Sequence, residues 1–263
     1  MPQATAQSKA EPLTIGQTFT IASKVLGETR RINVYVPAGY AESPNLRLPV
    51  LYMPDGGLGE DFLHVAGLVQ VSVGNATMRP FLLVGIENTE RRRDMTGPTT
   101  VADDRKIAPR VGGSAAFRRF IRTELMPEIQ RRYRTTPETA VVGESLAGLF
   151  VVETLLLEPD LFDTYLAFDP SLWWNGQYLV NQAPKLLQAQ AGKLGTKTLF
   201  LATSNEPGIV ADTRRFAEEL KAAASRLGLK WQYEPLPTET HATIYHPAAL
   251  RAFRLLFKPA SRK

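Results

Sequence analysis

The chain has 263 residues, of which 44% are hydrophobic and 22% are charged, and its formal net charge is +5. This length suits one large α/β domain around a single core. Because the chain contains no cysteine and only three histidines, disulfides, thiol nucleophiles and cysteine-ligated metals are excluded, and a multi-histidine metal site is disfavoured. We therefore expect no metal and no cofactor.

The positive charge lies in short arginine clusters at 30–31, 91–93, 118–119 and 131–132. Apolar runs separate these clusters and no nucleic-acid-binding motif accompanies them, so a solvated basic surface is favoured over a nucleic-acid partner. No apolar run reaches the roughly 18 residues that a membrane span needs. The oligomeric state is left open.

The start of the chain differs in composition from the rest. Residues 1–12 are small and polar, which predicts a disordered segment over 1–14 ahead of a single domain at 15–260. The segment has no apolar stretch of the kind found in a signal peptide. Its composition is typical of a mature chain from which a signal peptide has been removed, so we expect a periplasmic or secreted protein, with the cytoplasm as the alternative.

Strand and helix patterns alternate along the domain. Strands are expected at 17–23, 30–36, 50–53, 81–86, 140–142, 198–203 and 231–234, with a further apolar run at 161–168. Helices are expected at 60–73, 114–132, 149–157, 176–195 (helix and loop), 212–227 and 247–257, with a long polar loop over 87–113. This alternation predicts an α/β fold with a mostly parallel sheet, an antiparallel N-terminal hairpin and helices on both faces.

The stretch GESLAG at 143–148 joins a short β-branched run to an apolar helix. A strand, a Gly-x-Ser-x-Gly turn and a helix together make a nucleophile elbow, in which a sharp turn raises the serine above the sheet edge. Here Ala147 stands at the second glycine position and Gly148 follows it. Small residues two positions before and after the serine let strand and helix approach closely. The five-residue pattern alone recurs by chance, but with both flanks it predicts Ser145 as a catalytic nucleophile rather than an ordinary turn serine.

A serine hydroxyl needs a base to accept its proton. In α/β-hydrolases the order along the chain is serine, acid, histidine, and His64 precedes the serine in a helical pattern. His241 lies in a loop between the last strand and the last helix, where catalytic histidines of this fold are found. It is favoured over His246, which directly precedes Pro247 at an expected helix start.

The acid is expected on the loop after the strand at 198–203. Glu206 is favoured, three residues beyond that strand. Asp212 remains an alternative, although it would equally serve as the N-terminal charge of the next helix. A serine–histidine dyad without a tight acid also stays open.

An oxyanion hole needs two N–H groups aimed at the developing alkoxide. Leu146 directly follows the nucleophile and supplies the first. The second is expected from the loop after the strand at 50–53, where Gly57 is favoured and Gly56 is next.

Several motifs resemble those of the esterase D-like branch of the α/β-hydrolases, which includes the siderophore (enterobactin-type) esterases. The similar segments are LYMPDG (51–56), GIENT (85–89), RRRDMT (91–96), ELMPEI (124–129), YRT (133–135), PSLWWN (170–175) and HAT (241–243). The resemblance as a whole runs over residues 15–258. The resemblance implies an α/β-hydrolase fold and hydrolysis of a small-molecule carboxylic ester through an acyl-enzyme at Ser145, with no cofactor.

The resemblance also implies candidates for the substrate cleft, namely Arg91, Arg93, Trp173 and Trp174. Each has a competing structural role. In that alternative, the arginines order their loop through ion pairs and the tryptophans belong to the core. For the arginines the structural role is favoured, and for the tryptophans the two roles are equally balanced.

Three features depart from the family pattern. The elbow reads GESLAG where His and Phe-Gly are usual at the variable positions, Asp169 replaces a common serine before a proline, and Gly97 is inserted. None removes a proposed catalytic group. Glu144 adds a negative charge beside the nucleophile. Two consequences are open: the charge affects substrate preference, or it pairs with a nearby arginine. An acyltransferase using the same site and a catalytically silent binding protein remain as alternative functions.

Overall fold

The structure, a computed structural model, describes residues 10–259, apart from the side chain of residue 224. Most of the segment predicted to be disordered, residues 1–9, lies outside the described residues, as does residue 260 at the predicted end of the domain. Residues 10–14 belong to no helix or strand. In the described range, no helix is long and apolar enough to cross a membrane.

Eight strands of the described chain form one sheet. They are β1 (Gln17–Ser23), β2 (Glu28–Tyr35), β3 (Leu48–Pro54), β4 (Leu82–Ile86), β5 (Thr135–Glu144), β6 (Thr164–Phe168), β7 (Thr198–Thr203) and β8 (Lys230–Pro235). Their order is β1-β2-β4-β3-β5-β6-β7-β8. β2 pairs antiparallel with both β1 and β4, and every other pair is parallel. The predicted mostly parallel sheet with an antiparallel N-terminal hairpin is confirmed.

Helices cover both faces of this sheet. They are α1 (Phe62–Gly74), α2 (Arg91–Met95), α3 (Ala102–Ile107), α4 (Ser114–Phe120), α5 (Met126–Arg132), α6 (Leu146–Leu157), α7 (Trp174–Ala189), α8 (Pro207–Leu227) and α9 (Tyr245–Leu256). α1 and α9 pack on one face, whereas α4, α6, α7 and α8 pack on the other, giving two apolar cores. A π-helical segment, Ile121–Leu125, joins α4 to α5.

The burial of each strand follows from its place in the sheet. All residues of β3 and β4 are buried because helices lie above and below them, which is why these strands are continuous apolar runs. β1, at the sheet edge, alternates between exposed and partly buried residues. The parallel strands all end at the same edge, so residues just beyond β3, β5, β6 and β7 lie near one another.

The stretch at 87–113 differs from its prediction as a long loop, because it contains α2 and α3. These helices have five and six residues, too few to show a helical period in the sequence. Ion pairs hold α2 in place: the carboxylate of Asp94 accepts hydrogen bonds from Arg30 at 2.5 Å and from Arg93 at 2.6 Å. Tertiary contacts, not local propensity, therefore order this segment.

Candidate active site

The turn between β5 and α6 has the strained geometry of a nucleophile elbow. Ser145 lies there with φ 60° and ψ −120°, a backbone conformation that residues other than glycine rarely adopt. A Cβ added to Gly143 would lie 2.6 Å from the carbonyl carbon of Ala147, and one added to Gly148 would lie 2.9 Å from the carbonyl oxygen of Phe168. Both glycines are thus required for the close approach that the sequence pattern predicts.

The structure brings Ser145 and His241 together. His241 lies in the loop between β8 and α9, and its Nε2 is 3.1 Å from the Oγ of Ser145. This separation lies within the range in which a base accepts a proton from a hydroxyl. The Ser145 Oγ is also 3.4 Å from the Oγ of Ser171. A serine–histidine pair is therefore assembled from residues that are 96 positions apart in sequence.

The other nitrogen of His241 faces Asp169, the residue directly after β6. The Asp169 Oδ2 lies 2.9 Å from His241 Nδ1, and the Asp169 side chain is completely buried. Ser204 holds this carboxylate twice: its backbone N–H donates to Oδ1 at 2.6 Å, and its hydroxyl donates to Oδ2 at 2.5 Å. The backbone φ of Asp169 is 41°, a second strained position at the same sheet edge.

The structure does not bring the predicted acid, Glu206, to His241. Glu206 is exposed just before α8, and Asp212 lies inside α8. Among the described residues, the carboxylates within 4.0 Å of His241 Nδ1 belong to Asp169 and Glu144. The prediction placed the carboxylate beyond β7, whereas the carboxylate in contact with His241 Nδ1 at 2.9 Å lies directly beyond β6. One sequence signal was available: Asp169 directly follows an apolar run and obeys the expected order of serine, acid and histidine.

Glu144, the last residue of β5, is the second carboxyl at this histidine. Its Oε1 lies 3.3 Å from His241 Nδ1. Burial raises the pKa of Glu144 to about 8, although His241 and Arg91 oppose the shift. The hydrogen bond to Asp169 raises the pKa of His241, against the effect of burial and with a further contribution from Glu144. The imidazolium form of His241 is thus stabilised on its Nδ1 side.

The ligand atoms of Glu144, Asp169 and His241 lie within 4.8 Å of one another, a spacing that a cation would tolerate. The free nitrogen of His241, however, faces a serine hydroxyl. A cation on Nδ1 would displace the hydrogen bond that orients the ring. The arrangement fits proton transfer to and from Ser145.

The two predicted oxyanion donors differ in their surroundings. Leu146 is the first residue of α6, where a backbone N–H has no partner within the helix. The N–H of Gly57 donates to Glu60 Oε2 at 2.7 Å, and that of Gly56 donates to the Ile86 carbonyl at 3.0 Å. Gly57 becomes available to an oxyanion only when the Glu60 side chain turns away.

The two arginines suggested for substrate binding are already engaged. Arg91 donates from Nε and Nη2 to the two carboxylate oxygens of Asp55, at 2.7 and 2.8 Å. Arg93 donates to Glu28 at 2.7 Å and to Asp94 at 2.6 Å. Ion pairing therefore accounts for both side chains, and the 35% exposed Arg91 is the more accessible of the two.

The two tryptophans have different environments. Trp174 is buried, and its Nε1 donates to the Gly97 carbonyl at 3.0 Å, which ties the start of α7 to the segment before α3. Trp173 is only partly buried. Of this pair, Trp174 has a structural role, and Trp173 is left as the candidate for substrate contact.

The other two histidines lie outside this arrangement, as the sequence suggested. His64 on α1 contacts Asp61 at 3.1 Å, and its ring centroid lies 5.6 Å from that of His246 on α9. Burial, helped by His64, lowers the pKa of His246.

Comparisons with known proteins show the family of this chain. A family model described as "Putative esterase" matches residues 23–250. The chain is 27% identical over 256 residues to the ferri-bacillibactin esterase BesA of Bacillus subtilis (strain 168), covering 88% of this chain and 86% of that protein.

Among solved structures, an IroE-like serine hydrolase from Shewanella oneidensis is 31% identical, with a TM-score of 0.82 and coverage of 92% of this chain and 80% of that one. The BES protein from Bacillus cereus also has a TM-score of 0.82, at 22% identity, covering 97% of this chain and 100% of that one. At that identity the likeness supports the fold alone.

Proposed function

We propose, from the premise that this chain belongs to the esterase family whose model spans residues 23–250, that Ser145, His241 and Asp169 form its catalytic triad. Membership makes the chain a carboxylic ester hydrolase. The observation that carries the proposal is the continuous line of contacts from Ser145 Oγ to His241 Nε2, 3.1 Å, and from His241 Nδ1 to Asp169, 2.9 Å. These groups and distances match the roles of nucleophile, base and orienting acid.

In the first step, His241 Nε2 accepts the proton of Ser145 as the serine oxygen attacks the ester carbonyl. The carbonyl oxygen becomes an alkoxide facing the N–H of Leu146. The Gly57 N–H joins it once Glu60 has turned away. Donors held in place before the reaction stabilise this charge without reorganisation.

The protonated His241 then donates to the leaving alcohol, and an ester between the acyl group and Ser145 remains. Water, deprotonated by the same nitrogen, attacks that ester and releases the acid. Asp169 keeps the Nδ1 proton in place throughout, because Ser204 fixes its carboxylate through both oxygens. Since the base must be neutral, kcat/KM rises with pH through a His241 pKa that lies above the usual value for histidine.

For the substrate, we infer an ester-linked siderophore. A relative similar over most of the chain is a ferri-bacillibactin esterase, and a net charge of +5 favours anionic ligands such as catecholates. Such a substrate is consistent with the expected periplasmic or secreted location, which cell fractionation of the producing organism would test.

The decisive experiment compares the wild type with Ser145→Ala on p-nitrophenyl acetate and butyrate, together with fluorophosphonate labelling. We expect turnover and labelling by the wild type, and a loss of at least about 10³-fold in kcat/KM for the variant. A wild type that is inert to both esters and to the fluorophosphonate would favour a binding protein instead.

The substrate class is tested separately, by comparing kcat/KM for a tricatecholate triester siderophore, with and without iron, against feruloyl and p-nitrophenyl esters. We expect the siderophore to be the better substrate. Preference for a simple ester, with Ser145-dependent turnover intact, would overturn the substrate class and leave the mechanism standing. Added alcohols that capture the acyl group in place of water would identify an acyltransferase.

A further inference from the structure

Glu144 stands out among the charged residues of the site because nothing in the triad mechanism uses it. It is the last residue of β5, directly before the nucleophile, and its side chain is only 15% exposed. Its Oε1 is buried and has no aligned hydrogen bond among the described residues. A carboxylate in such a position is costly to the fold. This oxygen does approach His241 Nδ1, at an ion-pair distance of 3.3 Å.

The charged groups around Glu144 come from four parts of the chain. His241 reaches it from the loop before α9, Arg91 from α2, Asp169 from the end of β6 and Asp61 from the turn before α1. The guanidinium of Arg91 is committed to Asp55 through two hydrogen bonds. Once it is protonated, His241 is therefore the cation best placed to pair directly with Glu144.

The two carboxyls at Nδ1 differ in freedom. Asp169, at 2.9 Å, is the better hydrogen-bond acceptor, and Ser204 holds both of its oxygens. Glu144 is farther away, and its Oε1 is not tied to another donor among the described residues. Asp169 thus sets the tautomer and orientation of the ring, whereas Glu144 is the less constrained of the two carboxyls.

We propose that Glu144 is a second positioning carboxyl for His241, which helps to stabilise the imidazolium during acyl transfer and takes over the Nδ1 hydrogen bond when Asp169 is absent. This inference rests on the proposed function, since it assumes that His241 is the base.

The test uses four enzymes: the wild type, Glu144→Gln, Asp169→Ala and the double variant. Alanine at 169 is chosen because an amide there would favour the wrong histidine tautomer. If either carboxyl can replace the other at His241, the loss of transition-state stabilisation in the double variant exceeds the sum of the losses in the two single variants. At pH 9, where Glu144 is ionised, we expect kcat/KM for p-nitrophenyl butyrate to fall about tenfold in Glu144→Gln, about 10²-fold in Asp169→Ala and about 10⁴-fold in the double variant.

A second readout separates positioning from a merely structural role. Burial raises the pKa of Glu144 to about 8, so its negative charge acts on the imidazolium only as the pH rises toward and past 8. The ratio of wild-type to Glu144→Gln kcat/KM should therefore grow between pH 6 and pH 9. Glu218→Gln, which removes an exposed carboxylate from α8, is the matched control and should keep both rate and profile. Asp169→Ser replaces Asp169→Ala if the alanine variant does not fold.

The inference is overturned if the loss of kcat/KM in the double variant is no larger than the product of the two single losses. It is also overturned if the ratio of wild-type to Glu144→Gln kcat/KM is the same at pH 6 and at pH 9. If wild-type turnover still depends on Ser145, either result would refute only the role of Glu144. Loss of the Ser145 dependence would instead refute the triad itself.

Discussion

Two groups of ionisable side chains in this protein, each with at least one fully buried member, are built on opposite principles. The first, the loop network, comprises Glu28, Arg30, Arg93 and Asp94 and ties β2 to α2. Its cations and anions are equal in number, and its contacts measure 2.5 Å for Arg30–Asp94, 2.6 Å for Arg93–Asp94 and 2.7 Å for Arg93–Glu28. Every carboxylate in it faces at least one guanidinium.

The second group, the catalytic cluster, comprises Glu144, Asp169 and His241. Here two carboxyls face one imidazole, which is charged only when protonated. The contrast appears in the pKa values. Burial acts to raise the pKa of Glu28, yet hydrogen bonds from Arg93, Arg30 and Thr89 lower this pKa to about 2. Burial dominates at Glu144 and raises its pKa to about 8.

The difference shows what each group is suited to. In a matched network each buried charge has a partner of opposite sign, so removal of one member leaves a charge less well compensated and destabilises the fold. An unmatched cluster exchanges protons near neutral pH, which acid–base catalysis requires and which a purely structural site would avoid. Removing one group from each region should therefore have separable effects on activity and on stability.

The largest expected effect is on activity, in the catalytic cluster. His241→Ala should lower kcat/KM by about 10³-fold or more, because the serine loses its base. The melting temperature should change by only a few degrees, since the histidine side chain is 40% exposed. His246→Ala is the matched control and should retain activity. Loss of activity in His246→Ala, with His241→Ala active, would contradict the assignment of the base.

The next effect is on stability, in the loop network. Asp94→Asn leaves the fully buried guanidinium of Arg30 with Glu28, at 2.9 Å, as its remaining carboxylate partner, so we expect a loss of about 1–3 kcal/mol in the free energy of unfolding. Urea denaturation measures this loss. Activity per folded molecule should stay within about threefold of the wild type. A stable Asp94→Asn that has lost activity would mean that the loop network belongs to the catalytic machinery.

A smaller effect is expected where a neutral residue supports the cluster. Ser204→Ala removes the hydroxyl that donates to Asp169 Oδ2 but keeps the backbone donor to Oδ1. We expect kcat/KM to fall about tenfold through a less well-held carboxylate. Ser204→Thr keeps a hydroxyl and should recover most of this loss. Equal activity in the alanine variant and the wild type would show that the backbone donor suffices.

The smallest effect is on how stability depends on pH. The pKa of Glu28 is lowered on folding, so its contribution is complete above about pH 4.5 and disappears as the pH falls to about 2. The pKa of Glu144 is raised, so the native state binds the extra proton and loses stability as the pH rises from about 4.5 to about 8.

Thermal melts of Glu28→Gln and Glu144→Gln at several pH values measure both trends. Glu28→Gln should melt below the wild type at neutral pH and match it near pH 2. Glu144→Gln should match the wild type near pH 4.5 and melt a few degrees above it at pH 8. Parallel curves for the two variants would contradict the distinction between the two groups.

Local patterns were enough to predict much of the fold. β1 and β7 begin and end where the alternation and the apolar run predicted, at Gln17–Ser23 and Thr198–Thr203. The elbow was also predictable, because its required residues, Gly143, Ser145 and Gly148, lie within six positions. Where packing partners decide the structure, as in α2 and α3, the local pattern pointed to a loop.

The sequence by itself determined the alternation of strands and helices, the elbow at Ser145 and the choice of His241 as its partner, because these depend on neighbours along the chain. Only the tertiary structure shows which carboxylate lies beside His241. The register of β5 and β6 pairs Glu144 with Phe168, so the next residues, Ser145 and Asp169, emerge side by side at the sheet edge. The histidine arrives 72 positions after that aspartate. The carboxylate that contacts this histidine depends on the order of the strands in the sheet. Interactions between residues close together in sequence do not determine that order.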